Sequence, residues 1–379
     1  MTVSPPGPGA RRRPIAGRSP AGRAAGEGEV AERILILSAA GLGDFVLGTP
    51  ALRAIRQRFP GACIWILTIP EVKLLAERCP YVNEVRTMNL RQSRSAVAWM
   101  LGPGRRELTR LIRELRGMRF DIAVNLYEVA TWAGGLRMAA FLRAIGSART
   151  VGRGSGGRGL GFDLTSKQEG HEIEAQLGVV RLLGVTPVSD VPELWVTDED
   201  RLACASFLKV HGVSEAERIA CLHAGSAQPE KRWPSERFAV VGQRLAGVGA
   251  RVMLIGTELE RALCGALVQA IPGAISLAGE TSLPVLAALL QRSALLVTND
   301  SGPMHMAAAL GVPLVVPFGP EPPGRFGPRG RATCLVFAAP GCRGEQPWWE
   351  GISADTVAEA AVRLFVEALA RPRPPDGSS

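Results

Sequence analysis

Three strings in this chain gather polar and charged residues where an apolar run gives way to a helical pattern. The first is Gly41-Leu42-Gly43-Asp44, which follows Ile34-Leu35-Ile36-Leu37 and leads into Thr49-Pro50-Ala51-Leu52. A carboxylate in that turn can take the proton of a hydroxyl nucleophile. Asp is also a good helix N-cap, which alone would account for Asp44. A dinucleotide site fits poorly. The third glycine of G-x-G-x-x-G is replaced by Val46, and Asp44 would repel a pyrophosphate at the helix end that should hold it.

The second string, residues 223–238, begins at His223 after the apolar run 219–222 and holds Ser226, Ala227, Lys231 and Arg232 ahead of Trp233-Pro234-Ser235. It places two cations at the carboxyl edge of a sheet, the usual ligand edge of an open α/β fold. The third, Asn299-Asp300-Ser301-Gly302-Pro303-Met304-His305, follows the run 295–297. Ser301 and Gly302 let backbone amides approach an anion, Pro303 suits a first helical turn, and Gly311 suits the left-handed residue that ends a short helix. The positive end of such a helix holds a pyrophosphate without metal.

Two further acidic groups need weighing. Glu260, in Gly256-Thr257-Glu258-Leu259-Glu260, is either a ligand contact or a solvated acid in a first helical turn. Asp198-Glu199-Asp200 has the letters of a metal-binding Asp-x-Asp, but it sits at a helix start rather than at the ligand edge of a strand. No metal ligand is assigned.

Together and in this order, the strings resemble glycosyltransferase family 9, the group containing the lipopolysaccharide heptosyltransferases, from about residue 33 to 330. The resemblance implies a GT-B fold, two Rossmann-like domains facing across a cleft, and inverting, metal-independent transfer. It makes Asp44 the general base. Ser226, Ala227, Lys231, Glu260, Asp300, Ser301, Gly302 and His305 become donor-binding, with Lys231 neutralising the diphosphate leaving group. The implied donor is a nucleotide sugar, ADP-heptose being the family's best known, with no other cofactor. The implied acceptor is a lipid-linked inner-core oligosaccharide, with Gly43, Arg153 and Arg158 assigned to it. A GT-B epimerase would share the second domain but need no acceptor; a non-catalytic nucleotide-sugar binder would not need Asp44.

The elements that must position these residues alternate along the chain. Apolar runs at 34–37, 63–67 and 122–124, separated by helical patterns at 52–58 and 107–115, predict a parallel sheet covered on both faces. Runs at 219–222, 252–255, 275–277, 295–297 and 314–316 predict a second, with helices opening at Ser235, near Glu258, at Ser282 and at Pro303; Ser235 and Ser282 are expected N-caps. Residues 152–161 read as a loop and 184–192 as a linker. The expected organisation is a basic tail at 1–31, an acceptor domain at 32–188, a donor domain at 189–352, a helix at 353–371 packing back on the first domain, and a tail at 372–379.

The composition fits this plan. A chain of 379 residues, 46% hydrophobic and 21% charged, has material for two domains and no run long enough to span a membrane. The net charge of +9 includes five tail arginines, Arg11, Arg12, Arg13, Arg18 and Arg23, so the rest is mildly basic. That balance suits anionic substrates, with peripheral contact at an anionic membrane surface, and not nucleic acid. Seven cysteines without a Cys-x-x-Cys pair suit a reducing cytoplasm.

Overall fold

A computed structural model describes residues 31–38, 41–88, 105–129, 131–154, 159, 161–321, 323–338 and 347–370. The two terminal tails and Arg158 lie outside them. The first sheet contains β1 (Arg33–Ser38), β2 (Cys63–Thr68), β3 (Glu84–Thr87), β4 (Ile122–Asn125), β5 (Arg149–Arg153) and β6 (Leu164–Ser166), in the order β3-β2-β1-β4-β5-β6. The second contains β7 (Ile219–His223), β8 (Arg251–Leu254), β9 (Ile275–Ser276), β10 (Leu295–Thr298), β11 (Leu314–Phe318) and β12 (Cys334–Ala338), in the order β12-β11-β10-β7-β8-β9. The pairings are parallel. The central strands β1, β4, β7 and β10 are buried at nearly every position, which is why they read as continuous apolar runs.

Helices cover both sheets. The first domain carries α1 (Leu42–Arg58), α2 (Lys73–Ala76), α3 (Arg105–Met118), α4 (Trp132–Ile145) and α5 (Glu172–Arg181). After an irregular linker come α6 (Asp198–Val210), α7 (Ser235–Gly247), α8 (Arg261–Ala270), α9 (Leu283–Arg292), α10 (Gly302–Leu310), α11 (Pro323–Phe326) and α12 (Ala354–Leu369). Ser282 caps α9 as expected, accepting the Val285 amide. Ser235 does not cap α7: the N-cap residue is Pro234, and Ser235 is already helical with its hydroxyl on Glu236.

In each sheet the strand order reverses between two neighbours, β1 and β4 in one, β7 and β10 in the other. Open α/β sheets bind ligands beyond the carboxyl ends of strands at such a point. The turns after β1, β7 and β10 are the three strings singled out in the sequence.

A second expectation about the elements is corrected. Helix α12 does not return to the first domain; Val357, Ala361, Leu364 and Phe365 pack with α7 and the strands of the second sheet. The domains are joined instead by α1, α5 and the linker. Arg53 binds Glu193, Tyr81 Oη donates to Glu193 Oε2 at 2.6 Å, and the Glu193 amide donates to Thr49 Oγ1 at 2.8 Å. One apolar core consequently runs from α1 and β1 through α5 to α9, α10 and β11.

Candidate functional site

The donor half is built from the turns after β7 and β10. Asn299, wholly buried, clamps one to the other: its Nδ2 donates to the carbonyls of Ala224 (2.8 Å) and Gly225 (3.2 Å), and its Oδ1 accepts the Trp233 amide (3.0 Å). Held this way, Lys231 at the end of a 3-10 turn (Pro229–Lys231) reaches Asp300, with Nζ 2.5 Å from Oδ2. Asp300 is 5% exposed; burial raises its carboxyl and Lys231 opposes the rise. Arg232 does not join Lys231 at this edge. Its guanidinium donates twice to the Ser226 carbonyl, at 2.7 and 3.0 Å, which shapes the loop carrying buried Ser226 and exposed Ala227.

Ser301 is the N-cap residue of α10, but its hydroxyl makes no cap bond. It turns towards His223 Nδ1 (3.1 Å) and Thr298 Oγ1 (3.1 Å), leaving the first turn of the helix, at Gly302, uncapped by a side chain. That is the arrangement an anion needs at a helix N-terminus. The other face of His223 meets Glu260, with Nε2 3.6 Å from Oε2.

Glu260 is not the solvated acid that one sequence reading allowed. It is 7% exposed, accepts the Thr257 amide (2.7 Å) and hydroxyl (2.9 Å), and lies so close to Gly225 that a Cβ there would fall 1.8 Å from Oε1. Burial pushes its carboxyl up, but His223 and Thr257 outweigh burial and bring it to about 2. Its Oε1 lies against Gly225 at the edge of the same loop.

The acceptor half begins at α1. Its N-cap residue is Gly41, so Asp44 is not the cap; it lies in the first helical turn, partly exposed. The N-termini of α1 and α10 meet. A Cβ on Gly43 would lie 2.8 Å from His305 Cδ2, and one on Gly302 would lie 2.6 Å from Leu42 Cδ2. Glycine at both positions is what lets the two helix ends, and with them Asp44 and the anion-binding turn, approach this closely.

His305, buried at that contact, is held to about 3 by burial, with smaller contributions from His171 and Lys231. It is a neutral imidazole throughout the physiological range. Its Nδ1 has no hydrogen-bond partner among the described residues, which is unusual for a buried polar atom.

Arg153 departs from expectation. It is not on an open loop but is the last residue of β5, 7% exposed, with Nη1 2.6 Å from Glu172 Oε1. Asp200 also has other work: both its oxygens bind the Arg78 guanidinium at 2.7 Å, and it closes a capping box with Thr197. The sequence reading missed three residues at the start of α5: Gln176, which meets the Asp44 carbonyl on α1, Glu172, which pairs with Arg153 of β5, and His171, which meets the Gly327 carbonyl; the only local signal was an acidic first turn ahead of an apolar run. Among the described residues, no group of three or more His, Cys, Asp or Glu could hold a metal ion. None of the described helices is long and apolar enough to cross a membrane.

Comparison with known proteins agrees with this fold. The chain is 29% identical over 307 residues to lipopolysaccharide heptosyltransferase 2 of Salmonella typhimurium, covering 77% of this chain and 84% of that protein. It is 25% identical over 325 residues to lipopolysaccharide heptosyltransferase 3 of Escherichia coli, covering 82% and 86%. Among solved structures, a family 9 glycosyl transferase of Veillonella parvula superposes with a TM-score of 0.76 at 26% identity, over 89% of this chain and 98% of that one. The ADP-heptose lipopolysaccharide heptosyltransferase II of E. coli superposes with a TM-score of 0.73 at 22% identity, over 89% and 100%. The description glycosyltransferase family 9 (heptosyltransferase) matches residues 108–346, which take in the donor half of the site and begin after α1 and Asp44, and the chain belongs to that family.

Proposed function

We propose that this glycosyltransferase moves a heptose from ADP-heptose to a hydroxyl of a lipopolysaccharide inner-core acceptor. The observation that carries the reading is the meeting of α1 and α10 at their N-termini, which brings Asp44 beside an uncapped anion-binding turn flanked by Lys231. The names of the relatives supply the sugar and the acceptor class.

In this mechanism Lys231 and the α10 terminus hold the diphosphate and take up the charge that develops on it as leaving group. The neutral His305 imidazole adds a hydrogen bond, and Glu260 receives hydroxyls of the nucleoside. Asp44 accepts the acceptor hydroxyl's proton as its oxygen attacks the anomeric carbon, and the C–O bond to the diphosphate breaks. One displacement inverts the anomeric centre. No metal enters the step. Such an acceptor places the enzyme at the cytoplasmic face of the inner membrane, in peripheral contact.

The test is transfer from ADP-heptose, beside UDP- and GDP-sugars, to heptose-deficient core acceptor, read by mass spectrometry and by the product's anomeric NMR couplings. The expected result is acceptor-dependent release of ADP, undiminished in EDTA, with inverted configuration. Sugar rearrangement without acceptor would make the protein an epimerase, and binding without turnover a carrier. A retained configuration would require a nucleophile in place of a base.

A further inference from the structure

Helix α5 packs along α1, and three residues in its opening turns reach other elements. His171, its N-cap, accepts the Ile173 amide through Nδ1 and has Nε2 2.9 Å from the Gly327 carbonyl in the second domain. Glu172, 3% exposed, holds the buried guanidinium of Arg153. Gln176, one turn later and 1% exposed, donates Nε2 both to Glu172 Oε1 (3.3 Å) and to the backbone carbonyl of Asp44 (3.4 Å). Turned over, the amide would set its own oxygen against two acceptors, so chemistry fixes its orientation. Gly48 makes the room on α1: a Cβ there would fall 2.7 Å from Gln176 Oε1.

The charged and polar groups facing Glu172 are Arg153 from β5, Asp44 from α1 and Gln176 from its own helix. Farther out, His171 stands among Arg329, Asp190 and Glu174 and is coupled to His305 on α10.

We propose that Glu172 is a positioning residue for Asp44, holding the first turn of α1 through Gln176 and balancing the buried Arg153 cation that would otherwise stand uncompensated near it. The inference rests on the reading of Asp44 as the base. Neighbouring like charges raise each other's proton affinity. The Glu172 carboxyl shows the coupling: it is raised first by burial and further by Asp44, against the pull of Arg153 and the Gln176 hydrogen bond. Removing the Glu172 charge would leave Arg153 as an uncompensated buried cation and make Asp44 a weaker base.

The experiment is the pH profile of kcat/KM and the donor KM for Glu172→Gln, Arg153→Met and the double variant. In Glu172→Gln the acid limb should move down by about half a pH unit or more, with kcat lowered roughly tenfold and donor KM within about twofold. The double variant, which removes both charges, should recover part of the shift and keeps the test alive if the single variant folds poorly. A purely structural role would lower the melting temperature and leave the limb where it was; an unmoved limb in Glu172→Gln, or, if only the double variant folds, an unmoved limb there with kcat at the parent's value, overturns the proposal. Asp44→Asn separates the two readings: if its residual activity keeps the limb, the limb is not Asp44's and the base reading fails. A limb lost there yet unmoved by Glu172→Gln fails this proposal alone.

Discussion

At the scale of single residues, the catalytic reading turns on Asp44 being neither a cap nor a buried structural acid. Because Gly41 occupies the cap position, Asp44→Asn removes no cap bond and should change stability by less than about 1 kcal/mol. Turnover should fall by roughly 10² to 10⁴, with donor affinity nearly unchanged, when steady-state transfer and calorimetric donor titration are run on one preparation. Near-normal turnover in the folded variant would move the base elsewhere. Lys231 behaves differently because it neutralises a carboxylate that is 5% exposed. Lys231→Ala should weaken donor binding at least about tenfold and also destabilise the fold by about 3 kcal/mol, since an orphaned buried charge costs more than the pair contributes. Adding Asp300→Asn should return most of the stability and none of the affinity, a split readable from melting curves beside donor titrations.

At the scale of elements, the strands that the sequence made legible are those covered on both faces, whose side chains are apolar without alternation. Strand β3, with Glu84 and Arg86, and β6, with Thr165, lie at sheet edges and carry no apolar run to mark them, because solvent tolerates their polar residues. Strand β5 escaped notice for another reason: Arg149, Thr150 and Arg153 make an interior strand look polar, and only the Glu172 partner, 19 residues on, makes Arg153 acceptable there. The donor turns were legible because each is one contiguous string; the α5 contribution to the site was not, because Gln176 meets Asp44 across 132 residues. The start of α6 gives a pH prediction. The Arg78 hydrogen bond and charge, with the Thr197 bonds, outweigh burial and hold Asp200 at about 2, against 3.8 for an ordinary Asp. Since the folded value is depressed, the stabilisation is present above about pH 4 and is lost as pH falls towards 2, on the order of 2 kcal/mol. Urea midpoints between pH 2 and 5 should decline less steeply in Asp200→Asn than in the parent; equal slopes would mean that the pair contributes nothing.

At the scale of the whole molecule, the sequence marks two halves and a linker, and composition shifts invite treating them as independent domains. The structure joins them more closely. The apolar core that contains Ile34, Phe45 and Leu52 also contains Leu289, Met304 and Val316, so neither half closes its own core at this joint. Polar contacts bracket the joint: Arg78 with Asp200, His171 with Gly327, Arg325 with Glu128 and Arg329 with Asp190. Glu193, in the linker, is the busiest of these, binding Arg53 and Tyr81 through its carboxylate. Glu193→Ala would leave Arg53 donating to the linker carbonyls of Ser189 and Val191, costing about 1–3 kcal/mol for a hydrogen-bonded charge. A protein of this size should then melt a few degrees lower. Because the joint is apolar and the ion pairs only border it, the transition should remain single, with calorimetric and van't Hoff enthalpies in agreement for parent and variant alike. Two endotherms in the parent would show that the shared core does not couple the halves. A second endotherm appearing only in Glu193→Ala would show that the linker's polar contacts, rather than the packing of α1 against α10, make the molecule one cooperative unit.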